Sequence, residues 1–137
     1  MKPIVIAFVF ILLSVVAFGQ DRKEVIEKGI QVKRNYELDI AKGEKEPHIE
    51  KEEVYNFRGD LIEIKEYSEE GKVVSLWFRY KYDNQGNLIE EEELNSKGEI
   101  KERYEYKYEN GLKTEKLYYD NKGRLFKKKI YKYELRK

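Results

Sequence analysis

Cysteine is absent from all 137 residues, and histidine and tryptophan occur once each. Without cysteine no disulfide can staple the fold, and thiol nucleophiles and thiolate metal sites are excluded. His48, directly after Pro47, has no cysteine to share a metal with, so it reads as a structural or incidental residue. Hydroxyl nucleophiles are nearly as scarce: beyond residue 20 there are only Ser68, Ser75, Ser96 and Thr114. None has a histidine placed to activate it. No glycine-rich phosphate loop opens a long helix. Carboxylates are plentiful, but among 27 of them adjacency alone does not identify a glycosidase-like pair. This inventory points to a protein that is not an enzyme and holds no cofactor and no metal.

Long apolar runs are also missing, with one exception. Ile4 to Phe18 is interrupted only by Ser14, follows Lys2, and ends in Ala17-Phe18-Gly19. That is the layout of a secretory signal with small residues before its cleavage point. Fifteen residues fall short of the roughly 20 that a spanning helix needs. The expectation is a signal peptide over 1–19 and a single domain over 20–137, periplasmic or extracellular, that does not span the membrane after cleavage.

What remains is dense in charge and rings. Without Lys2 the acidic and basic side chains balance at 27 each, and the chain holds 12 tyrosines. The balance hides an asymmetry: residues 44–70 carry ten acidic and four basic groups, residues 113–137 ten basic and three acidic. Lysines near the C-terminus (Lys127, Lys128, Lys129, Lys132) would discourage edge-to-edge pairing of a last strand. Net neutrality argues against a nucleic-acid partner.

Glycine recurs at 59, 71, 86, 98, 111 and 123, with runs between that alternate apolar and charged. Period-2 alternation marks half-buried strands. Each glycine suits the left-handed position that ends a type I hairpin turn, and Asn110-Gly111 suits a two-residue type I′ turn. The fold expected is all-β: one antiparallel meander sheet, twisted or curled. Its eight strands fall near 30–40, 48–56, 61–67, 73–82, 88–95, 100–108, 112–119 and 125–134. Residues 21–28 supply a helical turn or an irregular lead-in.

Counting pairs inward from Gly86 and Gly98 predicts a ladder Arg79–Glu91–Arg103 on one face, with Trp77, Tyr118 and Phe126 beside it. The same count puts Phe78, Tyr80, Tyr82, Leu94, Tyr104, Tyr106, Leu117, Tyr119 and Tyr131 on the other, together with Glu90 and Glu92. A sheet with one apolar face must bury it against something. The candidates are the sheet curling on itself, the N-terminal element, a second copy in a homodimer, or a ligand.

The strings YDNQGNL (82–88) and YDNKGRL (119–125), within FRYKYDNQGNLIE and YKYENGLKTEKLYYDNKGRL, resemble the YD repeats of RHS proteins. The resemblance covers roughly 52–134 and implies antiparallel strands joined by glycine turns; it implies no catalytic residue. The chain also resembles small exported proteins built from a few such repeats. More distantly it is similar to MORN-repeat proteins, including an antitoxin family with YENG-type turns.

Three functions follow as expectations. The first is a non-enzymatic exported sheet that binds or scaffolds a cell-envelope glycan or a protein through its aromatic residues. The surface it would use holds Trp77, Phe78, Tyr80, Tyr82, Tyr104, Tyr106, Tyr119 and Tyr131. The second is an antitoxin- or immunity-like protein acting on a polypeptide. The third is a glycoside-hydrolase-like enzyme, for which Glu90 and Glu92 would be the acid/base pair.

Overall fold

The computed structural model describes residues 22–137; the expected signal segment lies outside them. A short helix, α1 (22–28), leads into eight strands. These are β1 (Val32–Glu37), β2 (His48–Tyr55), β3 (Leu61–Ser68), β4 (Val73–Tyr82), β5 (Leu88–Leu94), β6 (Ile100–Glu109), β7 (Leu112–Tyr119) and β8 (Leu125–Ile130). All pair antiparallel in one sheet whose spatial order is the chain order. The sheet is an open meander with β1 and β8 at its edges. No helix among the described residues is long and apolar enough to cross a membrane.

The helix is short but well terminated. Lys23–Glu27 and Glu24–Lys28 pair one turn apart. Gly29 takes φ 63°, and the Ile30 and Gly29 amides donate to the Val25 and Ile26 carbonyls. That is the Schellman closure, in which the residue after the glycine meets the helix's last turn. Val25 and Ile30 thereby join Tyr55, Leu61, Ile64 and Tyr80 in the main core. Among the described residues no side chain is fully buried. The fold is therefore one layer with a helix over one corner, and most stabilisation must come from cross-strand pairs, each worth about 0.2–1 kcal/mol.

One turn design closes four of the hairpins. Asn56, Asp83, Asn95 and Asp120 each accept two backbone N–H groups on Oδ1, from residues two and four further on. A short polar side chain thus takes over hydrogen bonds the turn backbone would leave unmade. The Asn110-Gly111 turn has both residues at positive φ, as type I′ requires. The turn at Gly71 departs from the expected form: Glu69 and Glu70 precede the glycine with φ 50° and 56°. Ser68 stands where the other turns carry Asp or Asn.

Every pairing also contains a β-bulge near the tip, with the extra residue on the second strand. Tyr82 pairs Leu88 and Leu94 pairs Ile100, as counting from the glycines predicts. Inside the bulge the register moves by one, and a one-residue shift exchanges the faces. The ladder is therefore Arg79–Glu92–Arg103, not Arg79–Glu91–Arg103. Glu63 and Tyr119 extend it across five strands. Ser75 and Thr114, at two of the bulges, donate to the carbonyls of Glu66 and Lys107. These hydroxyls serve the backbone.

The sheet repeats in units of two strands. Tyr82 donates to the Leu61 carbonyl, Tyr108 to Leu88 and Tyr133 to Lys113, at 2.6 to 2.7 Å. In each case a ring at the end of one strand, or three residues past it for Tyr133, fastens the start of the strand before it.

Candidate functional site

The bulges sort the side chains into two faces. On the ion-pair face, cations meet carboxylates: Lys81–Glu90 at 3.1 Å, Arg79–Glu92 at 3.5 Å, Lys107–Glu115 at 3.3 Å and Lys128–Glu115 at 3.5 Å. Arg103 pairs with Glu105 and stands 3.8 Å from Glu90. Glu90 and Glu92 thus lie here, ion-paired, and not among the aromatic residues. On β5 these two carboxylates face Lys81 and Arg79 across the strand pair.

Trp77 and Tyr119 share this face with Leu94 and Leu117. The Lys65 ammonium stands 4.1 Å from the centre of a Trp77 ring, and the turn at Gly98 abuts the edge of its six-membered ring. Trp77 thus has Lys65 over its ring and packs against a turn. Tyr119 lies under the Arg103 guanidinium at 4.2 Å and donates to Glu105. Tyr131 follows β8, with its amide donating to the Thr114 carbonyl.

The ring-bearing face holds Phe78, Tyr80, Tyr82, Tyr104 and Tyr106 as expected, joined by Tyr118, which sequence counting puts on the other side. Near α1, Phe78 and Tyr80 stack at 6.2 Å. Burial, reinforced by Glu91, pushes the Tyr80 phenol well above its ordinary pKa; burial and Asp60 do the same to Tyr82. Glu91 sits between Tyr80 and Tyr104 in the ladder and accepts the Tyr106 hydroxyl at 2.9 Å. Tyr104 donates to Glu102. Burial again, helped by these carboxylates, raises both phenols.

Toward β8 the face changes character. Tyr104 and Tyr118 meet edge to face at 5.3 Å, and Phe126 approaches Tyr118 at 6.2 Å. Three neighbouring strands thus contribute one contiguous row of rings. Lys116 stands 4.6 Å from the Tyr104 ring centre and 4.8 Å from that of Tyr118; Lys113 stands 4.5 Å from Tyr106. Lys127 and Lys129 approach Tyr118 at 4.9 and 5.8 Å. Burial raises the Tyr118 phenol, but hydrogen bonding to Lys129 and the nearby charges outweigh it and leave its pKa below the ordinary value. Lys127 and Lys129, two residues apart on β8, share this face, opposite Tyr118 and Lys116. Their convergence with Lys116 on a single tyrosine needed the bulge at Phe126.

Two recesses exist elsewhere. One of about 350 Å³ is lined by ladder residues including Arg79, Lys81, Glu90 and Glu92. The other, of about 370 Å³, gathers Glu37, Asp39, Glu44, His48, Glu50, Glu69 and Glu70. His48 lies 3.4 Å from Glu44 and 3.6 Å from Glu37. Among the described residues no three histidine or carboxylate groups are disposed to hold a metal ion.

Comparison with protein-family models, curated proteins and solved structures returns no match to this chain.

Proposed function

We propose that the chain is an exported, non-enzymatic binding module that lays an extended glycan along its ring-bearing face. The observation that carries this reading is the row Tyr104–Tyr118–Phe126, three rings from adjacent strands on the half of the face away from α1. Rings on a rigid sheet offer contact area at little entropic cost. The row lines neither of the two recesses, and small ligands need concave sites, so a polymer lying flat suits it better. The signal-like segment would deliver the domain to where such polymers occur.

Affinity electrophoresis of the full chain through gels containing cell-envelope and plant polysaccharides tests the proposal. Retardation that Tyr118→Ala abolishes, with the circular dichroism spectrum kept, supports it. Free migration through every polysaccharide sinks it. Trp77 emission is not the reporter to use, because that ring is on the opposite face.

A further inference from the structure

We infer that the β7–β8 end of the ring-bearing face is an anion site, and that the polymer it takes is an acidic glycan bearing carboxylate or sulfate groups at regular intervals. This inference rests on the glycan-binding reading and names its ligand class.

The argument begins from an imbalance. On the ion-pair face the ladder and its neighbours match cations with carboxylates. On the ring-bearing face, Lys113, Lys116, Lys127 and Lys129 have no carboxylate within ion-pair distance among the described residues. Lys116 and Lys129 are moreover direct cross-strand partners. Like charges placed opposite each other in a sheet are destabilising. Edge protection accounts for lysines on β8, but not for Lys113 and Lys116 on the strand inside it.

Tyrosine rings under these ammoniums supply part of the missing attraction. They also hold the cations in place, so an arriving anion meets charges that are already oriented. The lowered Tyr118 pKa reports the same local excess of positive charge. Lys116 and Lys129, facing each other across one rung, could share a single carboxylate or sulfate. Lys113 on β7 would meet the next charged group along the polymer.

Two other anionic surfaces fit less well. Leu125 and Ile130 pair with Tyr119 and Glu115 and so belong to the ion-pair face. That leaves Phe126 as the apolar side chain available here for a membrane, and shallow insertion needs a broader apolar face. Single-stranded nucleic acid calls for a strongly basic chain, whereas the acidic and basic side chains here nearly balance, at 27 and 28.

The test measures binding of the full chain to polygalacturonate, dextran sulfate, dextran, oligo(dT) and phosphatidylglycerol vesicles, with and without added salt. The variant is Lys116→Gln/Lys127→Gln/Lys129→Gln. Its control, Lys81→Gln/Lys107→Gln/Lys128→Gln, removes the same charge from the opposite face. The expected result is binding of at least one acidic polysaccharide but not dextran, weakening on added salt, with Kd raised about tenfold or more by the first triple and little by the control. Should the first triple unfold, as circular dichroism would show, the exposed pair Lys127→Gln/Lys129→Gln must still weaken binding about threefold.

Equal loss from both triples overturns the site. Preference for vesicles or oligo(dT) over both acidic polysaccharides overturns the ligand class. Equal binding of dextran overturns the anion inference while leaving the glycan reading standing. No binding to any polysaccharide sinks both.

Discussion

Trp77 lies against Gly98 so closely that a Cβ on the glycine would stand 3.1 Å from Cζ3 and 3.2 Å from Cη2 of the indole. Gly86 has the same φ of 84° but nothing within 4 Å of its would-be Cβ. The pair separates backbone strain from steric conflict. Gly86→Ala should cost about 1–2 kcal/mol from the left-handed backbone alone. Gly98→Ala should cost about 1 kcal/mol more, since the ring must shift, and should alter Trp77 emission, which Gly86→Ala leaves unchanged. Denaturant titrations of the two variants decide it; equal losses would show that the indole gives way freely.

Asn95 offers the cleanest view of the turn design, because its Oδ1 accepts from the amides of Lys97 and Glu99 at 2.9 and 3.0 Å. Asn95→Ala should cost about 1 kcal/mol, the scale of a lost side-chain cap. Asn95→Asp should cost far less. The readout is the shift in denaturation midpoint at unchanged slope.

Asp83 and Asp120 perform the same task with a charge. Backbone hydrogen bonds from Asn87 and Arg124 hold their carboxyls below the usual value. A carboxyl depressed in the folded state adds stability that is present above its unfolded pKa, about 4, and lost as pH falls through the folded value. Asp83→Asn/Asp120→Asn should therefore flatten the acid limb of the stability–pH curve while keeping the amide contacts, as Asn95 does natively. An unaltered acid limb would refute this.

At the alkaline end the sign reverses. Tyr80, Tyr82, Tyr104, Tyr106 and Tyr108 all have phenol pKa values raised, first by burial. Their contribution is fully present below the ordinary phenol pKa of about 10 and is lost as pH rises beyond it toward the folded values. Tyr118 is shifted the other way. Spectrophotometric titration should show Tyr118 ionising ahead of these five, as a step below the ordinary phenol range that Tyr118→Phe removes. Persistence of the step in the variant would assign the lowered phenol elsewhere.

Glu69 and Glu70 hold left-handed conformations that side chains other than glycine and asparagine resist. Glu70→Gly should raise stability by up to about 1 kcal/mol, the relief of strain exceeding the added freedom of the unfolded chain. A melting temperature below that of the parent would count against it.

Hairpin tips were the most legible part of the molecule. Glycine spacing alone placed the strands within a few residues, and Tyr82–Leu88 and Leu94–Ile100 paired as counted. The strand interiors were not legible, because a bulge leaves no mark in the period-2 pattern. One uncounted residue per strand moved Glu91 to the ring-bearing face, Glu92 to the ladder, and exchanged Tyr118 with Tyr119. The lysine cluster was hidden for the same reason. Read as sequence, Lys127 and Lys129 are an edge-strand precaution. Only the true register shows Lys116 facing Lys129 and Lys127 beside Tyr118. The aspartates and asparagines of the turns were in plain view, but their double acceptor role appears only once both amides are located.

The tyrosine fasteners at Tyr82, Tyr108 and Tyr133 close three of the four strand pairs, β3–β4, β5–β6 and β7–β8, and each strand of the meander pairs only with its chain neighbours. Length is consequently a free variable in this architecture. A gene could gain or shed a whole pair in a single in-frame event, and the product would broaden or narrow with only the contacts at the new seam, such as Trp77 against Gly98, to be remade.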